Sequence, residues 1–164
     1  MIVLNDNSSF VPFDAGSAQE AWLKSDLLAN TKKCTIAIWH QPLTWSQDDG
    51  TVGYRSTRKP LWDLLYNAKA EIVINGHQHF YERFAPMNPS RVRDDAKGIR
   101  QIIVGTGGAS VAAPTAHNAP NSEVVGPSDG FGVIKLTLRD GGYSWQFISI
   151  PGQTFTDAGS GTCH

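Results

Sequence analysis

The chain has 164 residues, of which 40% are hydrophobic and 18% are charged, with 16 Gly and 9 Pro. This composition fits one loop-rich globular domain over residues 1–164 and excludes a disordered chain or a coiled coil. The formal net charge of -1 gives no long-range attraction for nucleic acid or an anionic membrane, and no apolar stretch approaches the roughly 20 residues of a membrane span.

The first half of the sequence predicts strands and helices in alternation. Ser17 stands three residues before Glu20, which is the spacing of a helix capping box, and Pro60 suits the first turn of a helix. The predicted elements are a strand over 2–4, a helix over 18–29, a strand over 34–39, a loop over 41–58, a helix from residue 60 and a strand over 71–75. This order predicts a layered α/β fold whose sites lie beyond the carboxyl ends of the strands.

The second half contains fewer helical patterns. The predicted elements are a charged loop over 91–97, a strand over 102–104 that runs into a turn over 105–108, a Pro/Asn/Ser-rich loop over 112–130, and alternating strands over 131–138 and 143–150. The sequence Arg139-Asp140-Gly141-Gly142 between the last two strands predicts a hairpin.

Two of the predicted strands end in histidines. One apolar run ends at His40, and the run over 72–74 is followed by Asn75-Gly76-His77-Gln78-His79. An isolated His-x-His sequence is more often a pair of ordinary loop residues, but the second segment of the same design favours a metal site. On neighbouring strands, His40, His77 and His79 would converge at one edge of the sheet, and their imidazoles suit zinc, iron or manganese.

Three segments carry a resemblance to a known family. They are Ile38-Trp39-His40-Gln41-Pro42-Leu43, Asn75-Gly76-His77-Gln78-His79-Phe80-Tyr81-Glu82-Arg83 and Ile103-Val104-Gly105-Thr106-Gly107-Gly108. In this order and spacing, the chain resembles the carboxyl-terminal half of a calcineurin-like metallophosphoesterase of the purple acid phosphatase-like branch. The resemblance implies that the chain forms the carboxyl-terminal half of an α/β/β/α sandwich, with a mixed sheet and flanking helices.

The resemblance also implies a chemistry, the hydrolysis of phosphate monoesters of small molecules by a metal-activated water. In such enzymes the histidines at the positions of His40 and His77 bind one metal ion, and the histidine at the position of His79 binds a second. The ions are divalent or trivalent zinc, iron or manganese, and they polarise the phosphoryl oxygens and lower the pKa of a bound water. The resemblance assigns no residue of this chain as the catalytic acid or base.

The sequence departs from the family pattern in its first half. Members carry earlier D-x-H, G-D and G-N-H motifs, and none of these occurs here, so we expect the chain to begin where a full-length member would be half complete. Three possibilities remain: one ion held by the three histidines with an open position for water, a symmetric dimer that completes each site, or a fragment without hydrolytic activity. Because half of a two-sheet sandwich would expose an apolar face, we also expect self-association into a homo-oligomer.

Residues outside the histidine segments are weaker candidates. Tyr54 and Arg55 could contact a phosphate, and Arg is the better geometric match, although surface positions are more common for both. Asp48 and Asp49 could serve as substitute metal ligands, but paired acidic residues in a loop are usually solvated.

The remaining candidates are assigned to structure. Glu82 and Arg83 are expected to form a structural ion pair or to support the histidine loop. The glycine-rich sequence over 105–108 is expected to be a turn. Cys34 and Cys163 could form a disulfide or remain free thiols, and the sequence does not choose between these states.

Overall fold

The secondary structure follows the alternation that the sequence predicts. The structure is a computed structural model that describes residues 1–110, 113–114 and 117–164. The elements are β1 (Ile2–Val3), α1 (Ala18–Ala29), β2 (Ile36–Ile38), β3 (Thr44–Ser46), β4 (Val52–Tyr54), a 3-10 turn (Ser56–Arg58), α2 (Lys59–Asn67), β5 (Ile72–Asn75), β6 (Tyr81–Phe84), β7 (Arg100–Val104), β8 (Ser122–Val125), β9 (Gly132–Arg139), β10 (Gly142–Ser149) and β11 (Ala158–Thr162). Neither helix in the described part of the chain has the length and hydropathy of a membrane span.

A six-stranded mixed sheet forms the centre of the fold, in the order β1-β2-β5-β7-β6-β8. Strands β1, β2, β5 and β7 are parallel, and β6 is antiparallel to both β7 and β8. The inner strands are apolar on both faces because the sheet is covered on both sides. Alternate residues such as Ile72 and Val73 belong to different hydrophobic cores. The predicted mixed sheet is therefore confirmed.

The two helices pack on one face of this sheet. Leu23 of α1 and Leu61, Trp62 and Leu65 of α2 are fully buried against it. Helix α1 has the predicted bounds because the hydroxyl of Ser17 accepts a hydrogen bond from the Glu20 amide at 3.1 Å. The hydroxyl satisfies an amide that has no partner inside the helix, so the chain can enter the helix at that point.

A three-stranded antiparallel sheet, in the order β11-β10-β9, covers the other face. Tyr143, Trp145 and Phe147 project from β10 into the core between the two sheets. The predicted hairpin is confirmed, since Arg139 pairs with Gly142 across a two-residue turn in which Gly141 has a φ of 69°. The layers thus follow the order helices, mixed sheet, antiparallel sheet, as expected for part of an α/β/β/α sandwich.

Several short strands differ from the sequence-based expectation. The predicted loop over 41–58 contains the β3–β4 hairpin and the 3-10 turn, and the predicted loop over 112–130 contains β8, although residues 112, 115 and 116 of that loop lie outside the described residues. Strands β6 and β11 were also not predicted. Strands of three to five residues provide too few positions to establish a period of two, and tertiary pairing decides their conformation.

Asp157 ties the two sheets together through buried hydrogen bonds. Its carboxylate accepts from the Tyr81 hydroxyl at 2.6 Å, from Arg83 Nε at 2.7 Å and from Trp145 Nε1 at 3.1 Å. Burial alone would raise the pKa of Asp157, but the hydrogen bonds from Arg83 and Tyr81 and the charge of Arg83 outweigh it and lower that pKa. Arg83 also forms an ion pair with Glu123, so this guanidinium is matched on two sides.

A disulfide joins Cys34 to Cys163, with their Cα atoms 5.3 Å apart. It links the chain just before β2, in the mixed sheet, to the chain just after β11, in the antiparallel sheet. Beside it, the backbone amide of His164 donates to the buried Glu71 carboxylate at 2.9 Å. The sequence left open whether Cys34 and Cys163 are bonded or free, and in the structure they form a disulfide between the two sheets.

Removing this disulfide is expected to lower the free energy of unfolding by about 2–5 kcal/mol, because the bond closes a long loop in the unfolded chain. The two cysteines are 129 positions apart in sequence. Urea titrations of the wild type with and without reductant measure the effect, and Cys34→Ser/Cys163→Ser should match the reduced wild type and not respond to reductant. An identical urea midpoint for oxidised and reduced wild type would contradict the prediction.

Candidate metal centre

The two histidine segments meet at the carboxyl ends of neighbouring strands. The parallel strands β2 and β5 lead into His40 and into residues 76–79, respectively. The Gly76 amide donates to the His40 carbonyl at 2.9 Å, and Asn75 Nδ2 donates to the Trp39 carbonyl at 3.0 Å. These bonds fix the two segments against each other beyond the last pair of the sheet.

The backbone at the second segment turns twice within five residues. The Gln78 amide donates to the Gly76 carbonyl at 2.8 Å across His77, which has a φ of 67°, and the Phe80 amide donates to the Gln78 carbonyl at 2.8 Å across His79. The first is the rare γ-turn with a positive central φ, which costs a residue with a side chain about 1–2 kcal/mol. Local strain of this kind is concentrated at functional sites.

The imidazoles of His40 and His77 lie together. His77 Nδ1 is 3.2 Å from His40 Nε2, and the two rings meet edge to face with their centroids 5.1 Å apart. Two nitrogens that each lie about 2.0–2.1 Å from one tetrahedral ion are about 3.3–3.4 Å apart. The separation therefore suits two ligands of a single metal ion, the arrangement that the family resemblance implies for these two histidines.

His79 points its Nδ1 in another direction. This nitrogen lies 3.0 Å from the Ser110 carbonyl oxygen, which can only accept, so Nδ1 carries the proton. The lone pair is then on Nε2, and a backbone carbonyl that fixes the tautomer in this way is typical of metal-binding histidines. Among the described residues, no hydrogen bond joins His79 to the other two imidazoles.

The surroundings of His77 favour its neutral form. Burial lowers the pKa of the imidazole, and the nearby His40 and Arg55 lower it further. Arg55 is in direct reach, since its Nη2 lies 3.5 Å from His77 Nε2. A neutral imidazole is the form that binds a metal, so this lowered pKa favours metal binding by His77.

The described residues fit part of a metal centre. The His40–His77 pair has a suitable spacing and His79 has a fixed tautomer, but nowhere in residues 1–110, 113–114 and 117–164 do three or more His, Cys, Asp or Glu side chains cluster as metal ligands. Catalytic zinc usually has three protein ligands. Further ligands would have to join His40 and His77 to complete the coordination of a metal ion.

A buried ion pair supports the His40 segment. The carboxylate of Asp6 accepts from the His40 amide at 3.1 Å and the Gln41 amide at 2.9 Å, and it also accepts from Arg58 Nε at 3.0 Å. Asp6 and Arg58 are both almost fully buried. This pair is not predictable from local sequence, because its members are 52 positions apart and neither lies in a regular, periodic stretch of sequence.

The predicted phosphate-binding residues occupy different places. Arg55 lies beside His77, with its guanidinium 5.6 Å from the centre of the Trp45 ring. The exposed ring of Tyr54 instead lies beneath the guanidinium of Arg91, at 4.1 Å. The structure thus brings Arg55, and not Tyr54, into contact with the histidine pair.

Asp48 and Asp49 lie at the exposed tip of the β3–β4 hairpin. The Asp49 carboxylate accepts hydrogen bonds from the Thr51 hydroxyl at 2.6 Å and the Thr51 amide at 2.9 Å, and these bonds lower its pKa. This carboxylate stabilises the hairpin turn.

Glu82 and Arg83 point to opposite faces of β6, so they do not pair with each other. The fully buried Glu82 accepts from the Ser46 amide and hydroxyl, at 3.0 and 2.6 Å, and from the Ser122 hydroxyl at 2.7 Å. Burial raises the pKa of Glu82, against these hydrogen bonds. Arg83 forms its structural ion pair with Asp157 instead, because adjacent residues of a strand alternate in direction.

The predicted turn over 105–108 packs against the histidine loop, which is the segment over residues 76–80. It forms a wall on one side of that loop. The Gly105 amide donates to the Phe80 carbonyl at 3.1 Å, and a Cβ atom at Gly105 would stand only 1.8 Å from the Gln78 carbonyl oxygen. The close approach of the two backbones therefore requires glycine at this position.

Gly105→Ala is expected to displace the histidine loop and to lower the free energy of unfolding by about 1–3 kcal/mol, since the added methyl group meets rigid backbone. Gly107→Ala is the matched control, because a Cβ there meets no atom within 4 Å. Urea titration measures stability, and ¹H–¹⁵N spectra show whether the amides of His77 and Gln78 shift. Equal behaviour of the two variants would refute the proposed close packing.

The chain is similar in sequence to several known proteins. No known family model matches the chain. It is 29% identical over 137 residues to purple acid phosphatase 22 of Arabidopsis thaliana, covering 81% of this chain and 31% of the relative, and 30% identical over 122 residues to probable purple acid phosphatase 20 of the same plant, covering 71% and 28%. The chain thus spans less than a third of the length of these relatives.

Solved structures show the same fold. A purple acid phosphatase, PPD1, from yellow lupin seeds superposes with a TM-score of 0.79 at 22% identity, over 96% of this chain and 30% of that one. GAP50, described as the anchor in the inner membrane complex of Plasmodium, superposes with a TM-score of 0.71 at 19% identity, over 99% and 48%. The chain is therefore a relative of the purple acid phosphatases with the fold of the carboxyl-terminal part of a metallophosphoesterase.

Proposed function

We propose that this chain takes part in the metal-dependent hydrolysis of phosphate monoesters, with His40 and His77 on one ion and His79 on a second. The observation that carries the proposal is the 3.2 Å separation of His40 Nε2 and His77 Nδ1 at the ends of two neighbouring strands. The similarity to purple acid phosphatases supports the reaction class.

The side chains of this site each have a task in that reaction. The ring nitrogens of His40 and His77 face one another at 3.2 Å, and the Ser110 carbonyl holds His79 in the tautomer whose Nε2 can bind. A zinc, iron or manganese ion bound there supplies positive charge to the phosphoryl oxygens and acidifies a water. The strained γ-turn at His77 and the wall at Gly105 hold the imidazoles in position before any ligand binds.

Arg55 is proposed to bind the phosphate. Its guanidinium lies 3.5 Å from His77, and its Nε is buried without a hydrogen-bond partner among the described residues. No ion pair between Arg55 and a described carboxylate occurs within 4.0 Å, so the positive charge is available to an anion, for which guanidinium is a good geometric match. Tyr54 is proposed only as an outer contact, because its ring lies beneath Arg91.

A second candidate is a non-catalytic module that binds metal weakly. The incomplete ligand set favours it, since the described residues contain no cluster of three or more metal-binding side chains. The first candidate requires ligands from a partner copy of the chain or from groups outside the described residues. The two candidates differ in metal affinity and in turnover, so one set of measurements separates them.

Equilibrium dialysis with zinc, manganese and iron, followed by assay of p-nitrophenyl phosphate hydrolysis, tests the proposal. We expect bound metal and metal-dependent turnover in the wild type. His77→Ala should lose turnover and at least tenfold in metal affinity, because only one imidazole of the pair remains. His117→Ala is the control, since the His117 ring lies 3.5 Å from the Ser122 hydroxyl and not at the pair. Metal binding without turnover would support the second candidate, and absence of both would reject the proposal.

The expected exposure of an apolar sheet face is wrong, because the antiparallel sheet covers that face of the mixed sheet. Self-association is proposed instead from two open sheet edges. Strand β1 is one edge of the mixed sheet and β9 is one edge of the antiparallel sheet. Val3 of β1 is 65% exposed and Leu138 of β9 is 57% exposed, and Met1 and Leu138 line one small hollow. Unpaired edges with apolar side chains promote pairing with another chain, so we propose that a second copy covers them.

Sedimentation at micromolar concentration is expected to show a dimer for the wild type and a monomer for Val3→Lys/Leu138→Lys, because two charges at these edges would have to be buried. Leu28→Lys is the matched control, since Leu28 is exposed on α1, on the helical side of the mixed sheet. A monodisperse wild-type monomer would contradict the proposal.

A further inference from the structure

An open cleft of about 880 Å³ adjoins the histidine pair. The loop over 5–14 forms one side of it and the segment over 55–58 forms another, and both His40 and Arg55 line it. A phosphate held by Arg55 beside His77 would therefore have its ester group directed to a place where space is available.

Most of the side chains that line the cleft are polar or charged. The uncharged hydrogen-bonding ones are Asn5, Asn7, Ser8, Ser9, Gln41 and Thr57. Among the described residues, the apolar ones that line the cleft are Leu4 and Phe13, which are 5% and 2% exposed. The Arg58 guanidinium covers the Phe13 ring at 4.4 Å. Hydroxyl groups would find hydrogen-bond donors and acceptors along this lining.

The loop over 5–14 is held in place before any ligand binds. The Asn5 amide donates to Gln19 Oε1 at 2.8 Å, and Gln19 Nε2 donates back to the Asn5 carbonyl at 2.7 Å, which anchors the loop to α1. Within the loop, the Asn7 amide donates to Asn5 Oδ1 at 3.0 Å and the Ser9 amide donates to Asn7 Oδ1 at 3.2 Å. Because these bonds already order the backbone, a ligand would lose little affinity to loop ordering.

Charge in the cleft suits a ligand with one phosphate. The Arg58 charge is neutralised by its ion pair with Asp6, which leaves Arg55 as the cation nearest the histidine pair. Asp14 also lines the cleft, and its carboxylate can accept hydrogen bonds from hydroxyl groups. The same carboxylate would repel a second phosphate.

We infer that this cleft is a leaving-group subsite for the hydroxyl-bearing alcohol of a singly phosphorylated sugar or polyol. The inference rests on the proposed function, since it places the phosphate at Arg55 and the histidine pair. It adds that Ser8, Ser9 and Asp14 recognise the alcohol, which nothing in the family resemblance implies.

Titration of the metal-free chain, followed by ¹H–¹⁵N spectra, tests the inference with glucose 6-phosphate, phenyl phosphate and inorganic phosphate as probes. Glucose 6-phosphate is expected to bind about tenfold more tightly than the other two, since two or three additional hydrogen bonds form. Ser8→Ala/Ser9→Ala should reduce its affinity to that of inorganic phosphate. Ser90→Ala, an exposed serine of another loop, is the control and should keep the advantage.

The outcomes separate the inference from the proposed function. Equal binding of glucose 6-phosphate and phenyl phosphate, or an advantage that survives Ser8→Ala/Ser9→Ala, would overturn the leaving-group subsite and leave phosphate binding at Arg55 intact. If none of the three probes bound the metal-free or the zinc-loaded chain, phosphate binding at Arg55 would be refuted, and the subsite with it.

Discussion

The parallel pairing of β2 with β5 is the constraint on which the candidate site depends. Parallel neighbours end at the same edge of a sheet, so the two histidine segments leave the sheet side by side. The Gly76 amide and the Asn75 side chain extend this pairing by bonding to the His40 and Trp39 carbonyls. This backbone arrangement places the imidazoles of His40 and His77 side by side, and the strained turn at His77 sets the direction of its side chain.

The pair is held by residues that do not belong to it. Asp6 and Arg58 bind the backbone of the His40 segment from one side, and Gly105 lets the wall over 105–108 approach the other segment. Buried charges are expensive unless they are matched, and here one carboxylate satisfies a guanidinium and two amides together. These contacts fix the backbone that carries the imidazoles before any ligand binds.

The second sheet is attached by three kinds of interaction. Aromatic side chains of β10 fill the space between the sheets, Asp157 satisfies buried donors from both, and the disulfide links their ends. By contrast, no strand of the described residues pairs with the outer edge of β1 or of β9. The two sheets are thus joined by buried contacts and a disulfide, while each keeps an unpaired edge strand among the described residues.

The sequence by itself determined much of the fold. The capping serine at residue 17, the apolar runs that end at His40 and His77, and the turn at Asp140-Gly141 each act over a few neighbouring residues, so helix α1, the central strands and the last hairpin could be predicted from local patterns. The same apolar runs placed three histidines at one edge of the sheet. Strand order predicts that shared edge, but it does not predict the distances between the side chains.

Only the tertiary structure decided how those residues meet. It set His40 Nε2 and His77 Nδ1 3.2 Å apart and turned His79 toward Ser110. It directed Tyr54 toward Arg91 and its neighbour Arg55 toward His77. It also placed Asp6 on Arg58 and Gly105 against Gln78, contacts between segments dozens of residues apart. Local sequence encodes the direction of a strand or the start of a helix, but distances between side chains depend on strand register and packing, which only the folded chain specifies.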